Sequence, residues 1–383
     1  MTSDATTIAQ HLVRCPSVTP KEGGALDYLQ GILEELGFAC QRLVFAEDGT
    51  PTIDNLYARF GTAEPNLCFA GHTDVVPVGN ESAWTYPPFG GEIHDGKLYG
   101  RGTADMKGGI AAWVAAIQTL FANGWRPDGS LSLLITGDEE GPAINGTVKM
   151  LKHLYEQGER WDACITGEPT SSETLGDAIK IGRRGCLDGK ITVRGTQGHT
   201  GYPALADNAA HRLIAMCDGL VKWHMDDGSE FFEPSNLAIT SIDIGNTATN
   251  IIPGKATAAF NIRYCDLHSG PELVAKLRDI LTAAAGGEAF YDLDTYVAGE
   301  SFLTEPGQLS DLISDACQKI QGVRPEFSTS GGTSDSRFIT NYCPVVDFGP
   351  INKTIHQVDE HLEVKDLEDL ALIYGEIIRN FFG

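Results

Sequence analysis

Long apolar runs are missing from this sequence of 383 residues. No stretch reaches the roughly 18 uninterrupted apolar residues that mark a candidate transmembrane helix. The first residues also lack a basic segment followed by an apolar core, which is the pattern of a secretory signal peptide. The sequence therefore predicts neither a membrane span nor a signal peptide.

Basic residues are scarce as well. The chain has 28 Lys and Arg against 52 Asp and Glu, a formal net charge of −24. Because a nucleic-acid backbone must be met by clustered Lys and Arg, this balance argues against nucleic acid as a partner. It also means that an anionic substrate would have to be bound in a local basic pocket.

The sequence also lacks closely spaced pairs of cysteines. The nine cysteines are scattered, and the sequence contains no Cys-x-x-Cys. Several of them lie inside apolar runs, where reduced core thiols are usually found. The pattern favours the cytoplasm as the location of the protein.

The length and the order of predicted elements indicate two domains. At 383 residues the chain is long for a single hydrophobic core. Strands alternate with helices at both ends of the chain, which predicts an α/β fold with a mostly parallel sheet. The middle reads as strand, helix, strand, strand, helix, strand, which predicts an inserted α+β unit. We expect the α/β domain to comprise residues 1–183 and 295–383, and the insertion residues 184–294.

A histidine and two acids lie next to apolar segments in the first half of the chain. The strand predicted at Leu67–Ala70 runs directly into Gly71-His72-Thr73-Asp74. Asp105 lies in a glycine-rich loop that leads into an apolar helix. These residues suggest a metal site, since chemistry in open α/β sheets lies at the carboxyl ends of strands. A capping acid and a histidine bonded to a neighbouring Asp are an equally good interpretation of these residues alone.

Further acids occur at predicted strand ends. Asp138-Glu139-Glu140 follows a buried strand, Glu168 ends another, and His356 comes after a third. Consecutive acids repel one another and resist desolvation unless a cation is near. A solvated acidic turn is the alternative, but the recurrence favours convergence at one sheet edge. Two His and several carboxylates suit a pair of divalent first-row metals, zinc foremost, with one carboxylate bridging.

Several motifs together carry a resemblance to a known family. The chain resembles the dinuclear zinc aminoacylase and carboxypeptidase family, whose fold is a mostly parallel-sheet zinc-hydrolase catalytic domain with an inserted dimerisation (lid) domain. The matching blocks are Gly71–Pro77, Gly100–Gly109, Gly137–Gly141, Gly167-Glu168-Pro169, Gly182–Gly185, Gly198-His199, Asn261–Tyr264, Ser330–Asp335 and Ile355-His356.

The resemblance implies two divalent metal ions per subunit, most often zinc, with cobalt able to replace it. By this resemblance, His72 and Glu168 are expected to bind one ion. Glu140 and His356 are expected to bind the other, and Asp105 is expected to bridge the two. All five positions match the motifs of the family in this sequence.

The resemblance also assigns two acids that do not bind metal. Asp74 is expected to accept a hydrogen bond from His72 and to fix its ring. Glu139 is expected to be the general base, which takes a proton from the metal-bound water and delivers it to the leaving amine. A cis peptide bond between Asp105 and Met106 is a further expectation.

Substrate contacts are expected from the basic residues and from the inserted unit. The resemblance implies that Arg183 and Arg263 bind substrate carboxylates, while a structural ion pair is an equally good interpretation for Arg184 and Arg337. His199 is expected to reach the active site of the other subunit of a homodimer. The remaining substrate-binding positions implied in the same way are Asn250, Gly332 and Thr333.

Two of the blocks, Arg183-Arg184-Gly185 and Ser330–Asp335, point to the branch of the family that acts on an acylated diamino acid. The implied reaction is hydrolysis of N-succinyl-LL-2,6-diaminopimelate to succinate and LL-2,6-diaminopimelate, in lysine and diaminopimelate biosynthesis. The alternatives are a related deacylase, such as one acting on N-acetylornithine, an aminoacylase or dipeptidase, and a metal-binding scaffold without catalysis.

Overall fold

The computed structural model describes residues 4–383 of the chain. The α-helices in this part of the chain are α1 (Asp4–Arg14), α2 (Ala25–Glu35), α3 (Gly108–Ala122), α4 (Thr147–Glu156), α5 (Ala209–Val221), α6 (Gly270–Ala285), α7 (Gln308–Gln321), α8 (Ser336–Ile339) and α9 (Val364–Phe381).

The strands are β1 (Ala39–Phe45), β2 (Ile53–Phe60), β3 (Asn66–His72), β4 (Glu92–His94), β5 (Lys97–Tyr99), β6 (Ser130–Thr136), β7 (Ala163–Thr166), β8 (Ala178–Lys180), β9 (Gly182–Arg183), β10 (Gly185–Arg194), β11 (Gly198–His199), β12 (Asn236–Asp243), β13 (Ile251–Ile252), β14 (Lys255–Tyr264), β15 (Tyr291–Gly299), β16 (Phe302–Leu303), β17 (Glu326–Ser328), β18 (Val345–Asp347) and β19 (His361–Glu363).

The larger of two compact units is built on an eight-stranded mixed sheet, with the strand order β1-β2-β6-β3-β7-β18-β8-β17. Four adjacent strands at the centre of this sheet, β6, β3, β7 and β18, run parallel to one another. β3 and β6 are buried along their whole length. That burial explains their continuous apolar character, because central parallel strands are covered on both faces.

Aromatic side chains fasten helices to this sheet. Trp113 of α3 stacks on Phe69 of β3, with ring centroids 4.7 Å apart. Tyr374 of α9 packs edge-on against both rings. All three side chains are buried, and α3 is buried on almost every side, as expected for a helix that is apolar all round. This packing fixes the start of α3, close to the loop that carries Asp105.

The smaller unit contains an antiparallel sheet with the strand order β12-β14-β10-β15. The inward side chains of this sheet pack against α5 and α6, which is the α+β arrangement predicted for the insertion. Two short pairs, β9 with β16 and β11 with β13, belong to the same unit. Representative core residues are Leu187, Ile191, Leu213, Phe260 and Leu277.

The division of the chain differs from the predicted boundaries at its second end. The smaller unit comprises residues 182–303 and 329–333, whereas residues 184–294 were expected. β15 pairs with β10 along most of its length, so residues 295–299 belong with the smaller sheet and not with the α/β domain. Among the described residues, no helix is long and apolar enough to cross a membrane.

Candidate metal centre

The predicted metal-binding side chains follow neighbouring strands of the large sheet. His72 is the last residue of β3, Glu140 comes shortly after β6, and Glu168 comes just after β7. These three strands are parallel and adjacent, so their carboxyl ends lie at one edge of the sheet. His356 follows β18, the next strand on the same side.

The structure gathers these side chains into two groups that share Asp105. The first group is His72, Asp105 and Glu168, and the second is Asp105, Glu140 and His356; within each group one potential ligand atom per residue lies within 4.8 Å of the others. The Nε2 atom of His72 is 3.2 Å from Oδ1 of Asp105. The Nε2 atom of His356 is 3.3 Å from Oδ2 of the same carboxylate and 2.9 Å from Oε1 of Glu140. Asp105 therefore offers one oxygen to each group.

The chemistry of both groups fits divalent cations. Imidazole nitrogens and carboxylate oxygens are ligands that zinc and related first-row ions accept. The Oε1 atom of Glu168 is buried without a hydrogen-bond partner among the described residues. Burial, reinforced by the charges of Asp105 and Glu139, raises the pKa of Glu168 well above its usual value. A buried carboxylate oxygen of this kind is stabilised by a cation, so the residues fit a pair of divalent ions.

The two oxygens of Asp105 are in a different electrostatic setting. Burial alone would raise the pKa of this carboxyl group, but its hydrogen bonds with His356 and His72 lower it well below its usual value. Asp105 is thus held as an anion between two imidazoles. The peptide bond between Asp105 and Met106 is cis, as the resemblance implied.

The surroundings of His72 fix which of its ring nitrogens can bind a metal. Nδ1 lies 2.9 Å from the backbone carbonyl oxygen of Asp74, which can only accept a hydrogen bond. Nδ1 therefore donates its proton to this carbonyl oxygen, and Nε2, which lies 3.2 Å from Oδ1 of Asp105, is the ring nitrogen that a metal ion would take.

The expected bond from His72 to the carboxylate of Asp74 is replaced by this bond to the carbonyl group. The nearest carboxylate oxygen of Asp74 is 3.7 Å from Nδ1. The carboxylate instead accepts hydrogen bonds from the backbone amides of Glu139, at 3.2 Å, and Glu140, at 3.1 Å. Asp74 is fully buried, and burial raises its pKa to about 6. Asp74 therefore orients His72 through its backbone and the acidic turn through its side chain.

Glu139 lies beside both groups and belongs to neither among the described residues. Burial is the main reason why its pKa is raised to about 8, and the nearby charges of Asp335, Glu140 and Asp105 add to the effect. Its backbone is held by Asp74, as described above. The carboxylate is thus close to the metal-binding side chains without being one of them.

Two residues that contact this centre were not predicted from the sequence. Glu360 accepts hydrogen bonds from the backbone amides of Ala104 and Asp105, and Arg101 pairs with Glu360. The sequence signal was weak, since Arg101 sits between two glycines of a matching block and Glu360 follows His356 by only four residues.

The predicted substrate residues all lie in the smaller unit. Nη1 of Arg183 donates to the carbonyl oxygen of Gly332 at 3.0 Å, next to Thr333. Nε of Arg263 donates to Oδ1 of Asn261 at 3.2 Å. The structure therefore brings Arg183 together with the glycine-rich turn.

The predicted catalytic histidine of this unit is exposed. His199 lies on β11, and Thr200 donates its backbone N–H to the carbonyl oxygen of Asn250 at 3.1 Å. The backbone N–H of Gly201 donates to Nδ1 of His199 at 2.9 Å. Because Nδ1 accepts, the proton of a neutral ring is on Nε2, which can then act as a donor.

For Arg184 and Arg337, the sequence left open whether they bind substrate or form structural ion pairs. In the structure, both contact other side chains of the protein. Arg184 donates to Oδ1 of Asn236 at 3.2 Å. The guanidinium of Arg337 lies 3.8 Å from the carboxylate of Asp335. These contacts favour the interpretation as structural ion pairs and polar contacts.

Comparisons with known proteins match the whole chain. The family model of peptidase family M20/M25/M40, which describes the sequences of its members, matches residues 68–380. A succinyl-diaminopimelate desuccinylase of Rhodospirillum centenum is 53% identical over 383 residues, covering 100% of this chain and 98% of the relative. The enzyme of the same name from Parvibaculum lavamentivorans is 54% identical, covering 99% of this chain and 96% of the relative.

Solved structures agree on the fold. An M20-family metallo-carboxypeptidase from Sulfolobus solfataricus superimposes with a TM-score of 0.81 at 18% identity, covering 98% of this chain and 99% of its own. The family model matches most of the chain, and two relatives are more than half identical to it over nearly its whole length. The chain therefore belongs to peptidase family M20/M25/M40.

Proposed function

We propose that the protein is a metal-dependent amide hydrolase that cleaves N-succinyl-LL-2,6-diaminopimelate to succinate and LL-2,6-diaminopimelate, a step of lysine and diaminopimelate biosynthesis. The observation that carries the proposal is the pair of ligand groups that share Asp105. The relatives of 53% and 54% identity, which carry the corresponding name, support the choice of substrate.

Five side chains would hold the metal ions, which we propose to be zinc, with cobalt as a substitute. His72 and Glu168 would hold one ion, and Asp105 would hold both. Glu140 and His356 would hold the other. When bound, such ions polarise the scissile carbonyl group and activate water for attack on it.

We assign the proton transfer to Glu139. Its carboxylate is outside both ligand groups, and the turn that carries it is fixed by the carboxylate of Asp74. Glu139 accepts the proton of the attacking water and donates it to the amide nitrogen, which leaves as an amine. Asp74 contributes by holding Glu139 and the ring of His72 in place.

The substrate carries several carboxylates, and the net charge of −24 makes local basic groups necessary for binding them. Arg183 and Arg263 are proposed for this role, because a guanidinium offers a carboxylate two parallel hydrogen bonds. Arg183 is held by the carbonyl oxygen of Gly332, so the glycine-rich turn positions it. Asn250, Gly332 and Thr333 are proposed as further contacts.

His199 is proposed to stabilise the oxyanion of the tetrahedral intermediate. The side chain is exposed, and because Nδ1 accepts from Gly201, Nε2 is the ring nitrogen that would donate to a substrate oxygen. We assign this histidine to the active site of the partner subunit in a homodimer.

The smaller unit offers a surface for that dimer. β12 is an edge strand of its sheet, and its side chains are largely exposed. Ile242 of β12 is 54% exposed, while Ile214 and Val221 of α5 are 58% and 71% exposed. Exposed edges and apolar patches of this kind are usually covered, and we propose that a second copy of the chain covers them. Sedimentation equilibrium would then give twice the mass of one chain.

We also place the enzyme in the cytoplasm. All nine cysteines are free, as expected in a reducing compartment. Amino-acid biosynthesis, the process to which the proposed reaction belongs, fits the same location.

An assay of three substrates tests the proposed activity. Purified protein with added zinc is incubated with succinyl-diaminopimelate, with N-acetylornithine and with a dipeptide, and amide cleavage is followed. We expect the specificity constant for succinyl-diaminopimelate to exceed the others by at least about 100-fold, because the other two leave carboxylate-binding groups unpaired. Preference for either competitor would assign the chain to another branch of the family, and no cleavage of any would indicate a non-catalytic protein.

A further inference from the structure

A buried ion pair joins the two chain segments that carry Asp105 and His356. Arg101 follows β5, and Glu360 precedes β19, the strand that pairs with β5. Nη1 of Arg101 lies 2.7 Å from Oε2 of Glu360, and the two side chains are 3% and 0% exposed. The indole ring of Trp84 lies next to the guanidinium, 5.2 Å from it. Arg101 and Glu360 are 259 positions apart in sequence, so the pair ties together distant parts of the chain.

Glu360 acts on the loop that carries Asp105. While Oε2 faces Arg101, Oε1 accepts the backbone N–H groups of Ala104 at 3.0 Å and Asp105 at 3.2 Å. Two amides converging on one carboxylate oxygen fix the backbone from which the Asp105 side chain projects. Because hydrogen bonds to a charged acceptor are about twice as strong as neutral ones, Glu360 holds this loop firmly.

Arg101 acts on the turn that carries His356. Its guanidinium donates to the carbonyl oxygen of Gln357 at 3.2 Å and lies 3.5 Å from that of His356. His356 has a backbone φ of 60°. Residues other than glycine seldom adopt this left-handed conformation, and they keep it only where their surroundings enforce it. The contacts from Arg101 to two carbonyl oxygens of this turn are among the interactions that hold it.

We propose that Arg101 and Glu360 are positioning residues: Glu360 fixes Asp105, Arg101 fixes His356, and together they set the affinity of the ligand groups to which these two residues belong for divalent ions. The inference rests on the proposed metal-dependent function. Metal–ligand distances tolerate only about 0.2 Å of change, so small displacements of either segment alter affinity. Groups that orient metal ligands typically change affinity by about 10–100-fold when they are removed.

Substitution of Arg101 and substitution of Glu360 should reduce metal affinity in different ways. Arg101→Lys keeps a positive charge beside Glu360 but loses the planar set of donors with which the guanidinium contacts Glu360 and both carbonyl groups of the His356 turn at once. It should weaken only the ion bound by the group that contains His356. Glu360→Gln keeps the shape of the side chain but loses the charge that holds the Asp105 amides. Because Asp105 belongs to both groups, this substitution should weaken both ions.

The experiment is a calorimetric titration of Zn²⁺ into the metal-free full-length protein, with circular dichroism to verify folding. For Arg101→Lys we expect one of the two binding events to weaken by about 10–100-fold and the other to keep its constant. For Glu360→Gln both should weaken. The matched control is Glu159→Gln, which breaks the pair with Arg59 in the same unit, away from the centre; it should leave both constants unchanged.

Unchanged constants in either folded variant would overturn the proposal. An equal loss in Glu159→Gln would overturn it too, because the effect would then be a general loosening of the domain. If Arg101→Lys does not fold, the isosteric Glu360→Gln decides alone. A wild-type protein that binds no Zn²⁺ would instead contradict the proposed function, which distinguishes the two failures.

Discussion

Glu139 and Glu140 are neighbours in the chain with different surroundings. Oε1 of Glu140 is 2.9 Å from Nε2 of His356, inside a candidate ligand group. Glu139 lies outside both groups, and its amide is held by Asp74. At the scale of single residues, this difference supports the proposed division of roles, metal binding for Glu140 and proton transfer for Glu139.

Replacing Glu139 by Gln should therefore abolish turnover and spare the metal. The amide is isosteric but cannot accept the proton, so we expect kcat to fall by about 100–10,000-fold. Metal analysis of the purified variant should still give two ions per chain. Glu140→Gln is the comparison, and it should lose metal along with activity. Loss of metal in Glu139→Gln would move Glu139 into the ligand set.

Arg263 is assigned to a substrate carboxylate. Arg263→Lys keeps the charge but loses the planar two-pronged donor, and we expect kcat/KM to fall by about 10–100-fold, the equivalent of one charged hydrogen bond. Arg184→Lys is the matched control, because Arg184 contacts Asn236 within its own unit. Equal kinetics of the two variants and the wild type would leave Arg263 as a structural residue.

Most candidate residues of the metal centre could be found in the sequence, but the residues that hold them in position could not. His72, Glu140 and Glu168 could be grouped because each lies at the end of an apolar strand in the parallel part of one sheet, while the choice of Glu140 over Glu139 as the ligand came from the family resemblance. Arg101 and Glu360 could not, since a buried pair between residues so far apart leaves no local pattern. The carboxylate of Asp74 was assigned to His72, but it binds backbone amides, and backbone partners cannot be read from side-chain identities.

At the scale of elements, the start of α3 is packed against the end of β7. An ideal Cβ atom on Gly109 would lie 2.4 Å from the carbonyl oxygen of Gly167. That oxygen belongs to the backbone, which cannot move aside cheaply. The contact places the segment after Asp105 directly beside the residue that precedes Glu168.

Gly109→Ala should accordingly lower the free energy of unfolding by about 1–3 kcal/mol, the usual cost of overpacking. It should also reduce metal affinity, because Asp105 and Glu168 are forced apart. Gly31→Ala is the control: Gly31 lies within the helix α2, where an added methyl group meets nothing within 4 Å. That variant should gain roughly 0.5–1 kcal/mol. Urea unfolding measures both changes, and equal stability of the two variants would contradict the packing argument.

Elements made of continuous apolar residues were predictable, and short strands with few buried side chains were not. β3 and β6 were expected from continuous apolar runs, and both are central buried strands. β4, β5 and β19 were missed, because three residues are too few to show a period of two and each of these strands has at most one buried side chain, whereas the fully buried β18, also of three residues, was predicted from its apolar residues. Yet β5 and β19 flank Arg101 and Glu360, so the missed sheet supports the centre. Pairing with distant strands, rather than local propensity, defines such elements.

At the scale of the whole molecule, the domain insertion was evident from the change in element order near Arg184. The second boundary was not, because β15 continues beyond residue 294 in hydrogen-bonded register with β10. Register is a property of the paired strands, and a single sequence does not reveal where the pairing stops.

Mixed dimers test the assignment of His199 to the partner subunit. Homodimers of His199→Ala and of Glu139→Ala should each be inactive. Co-expression should give mixed dimers in which Glu139 of one chain and His199 of the other form one intact site, which restores up to about half of the activity per mixed dimer. Differently tagged chains allow the mixed dimer to be purified. An inactive mixed dimer would place His199 in the active site of its own chain.

The central claim is that the two ligand groups sharing Asp105 hold the ions required for amide hydrolysis. The most direct measurement is reconstitution: the protein is stripped of metal by a chelator, Zn²⁺ is added back in known amounts, and succinate release from succinyl-diaminopimelate is followed. We predict less than about 1% of the full rate in the metal-free protein, since metal activation of water contributes several kcal/mol to catalysis. The rate should rise with added Zn²⁺ and level off at two ions per chain. Full turnover by protein shown to be metal-free would contradict the account.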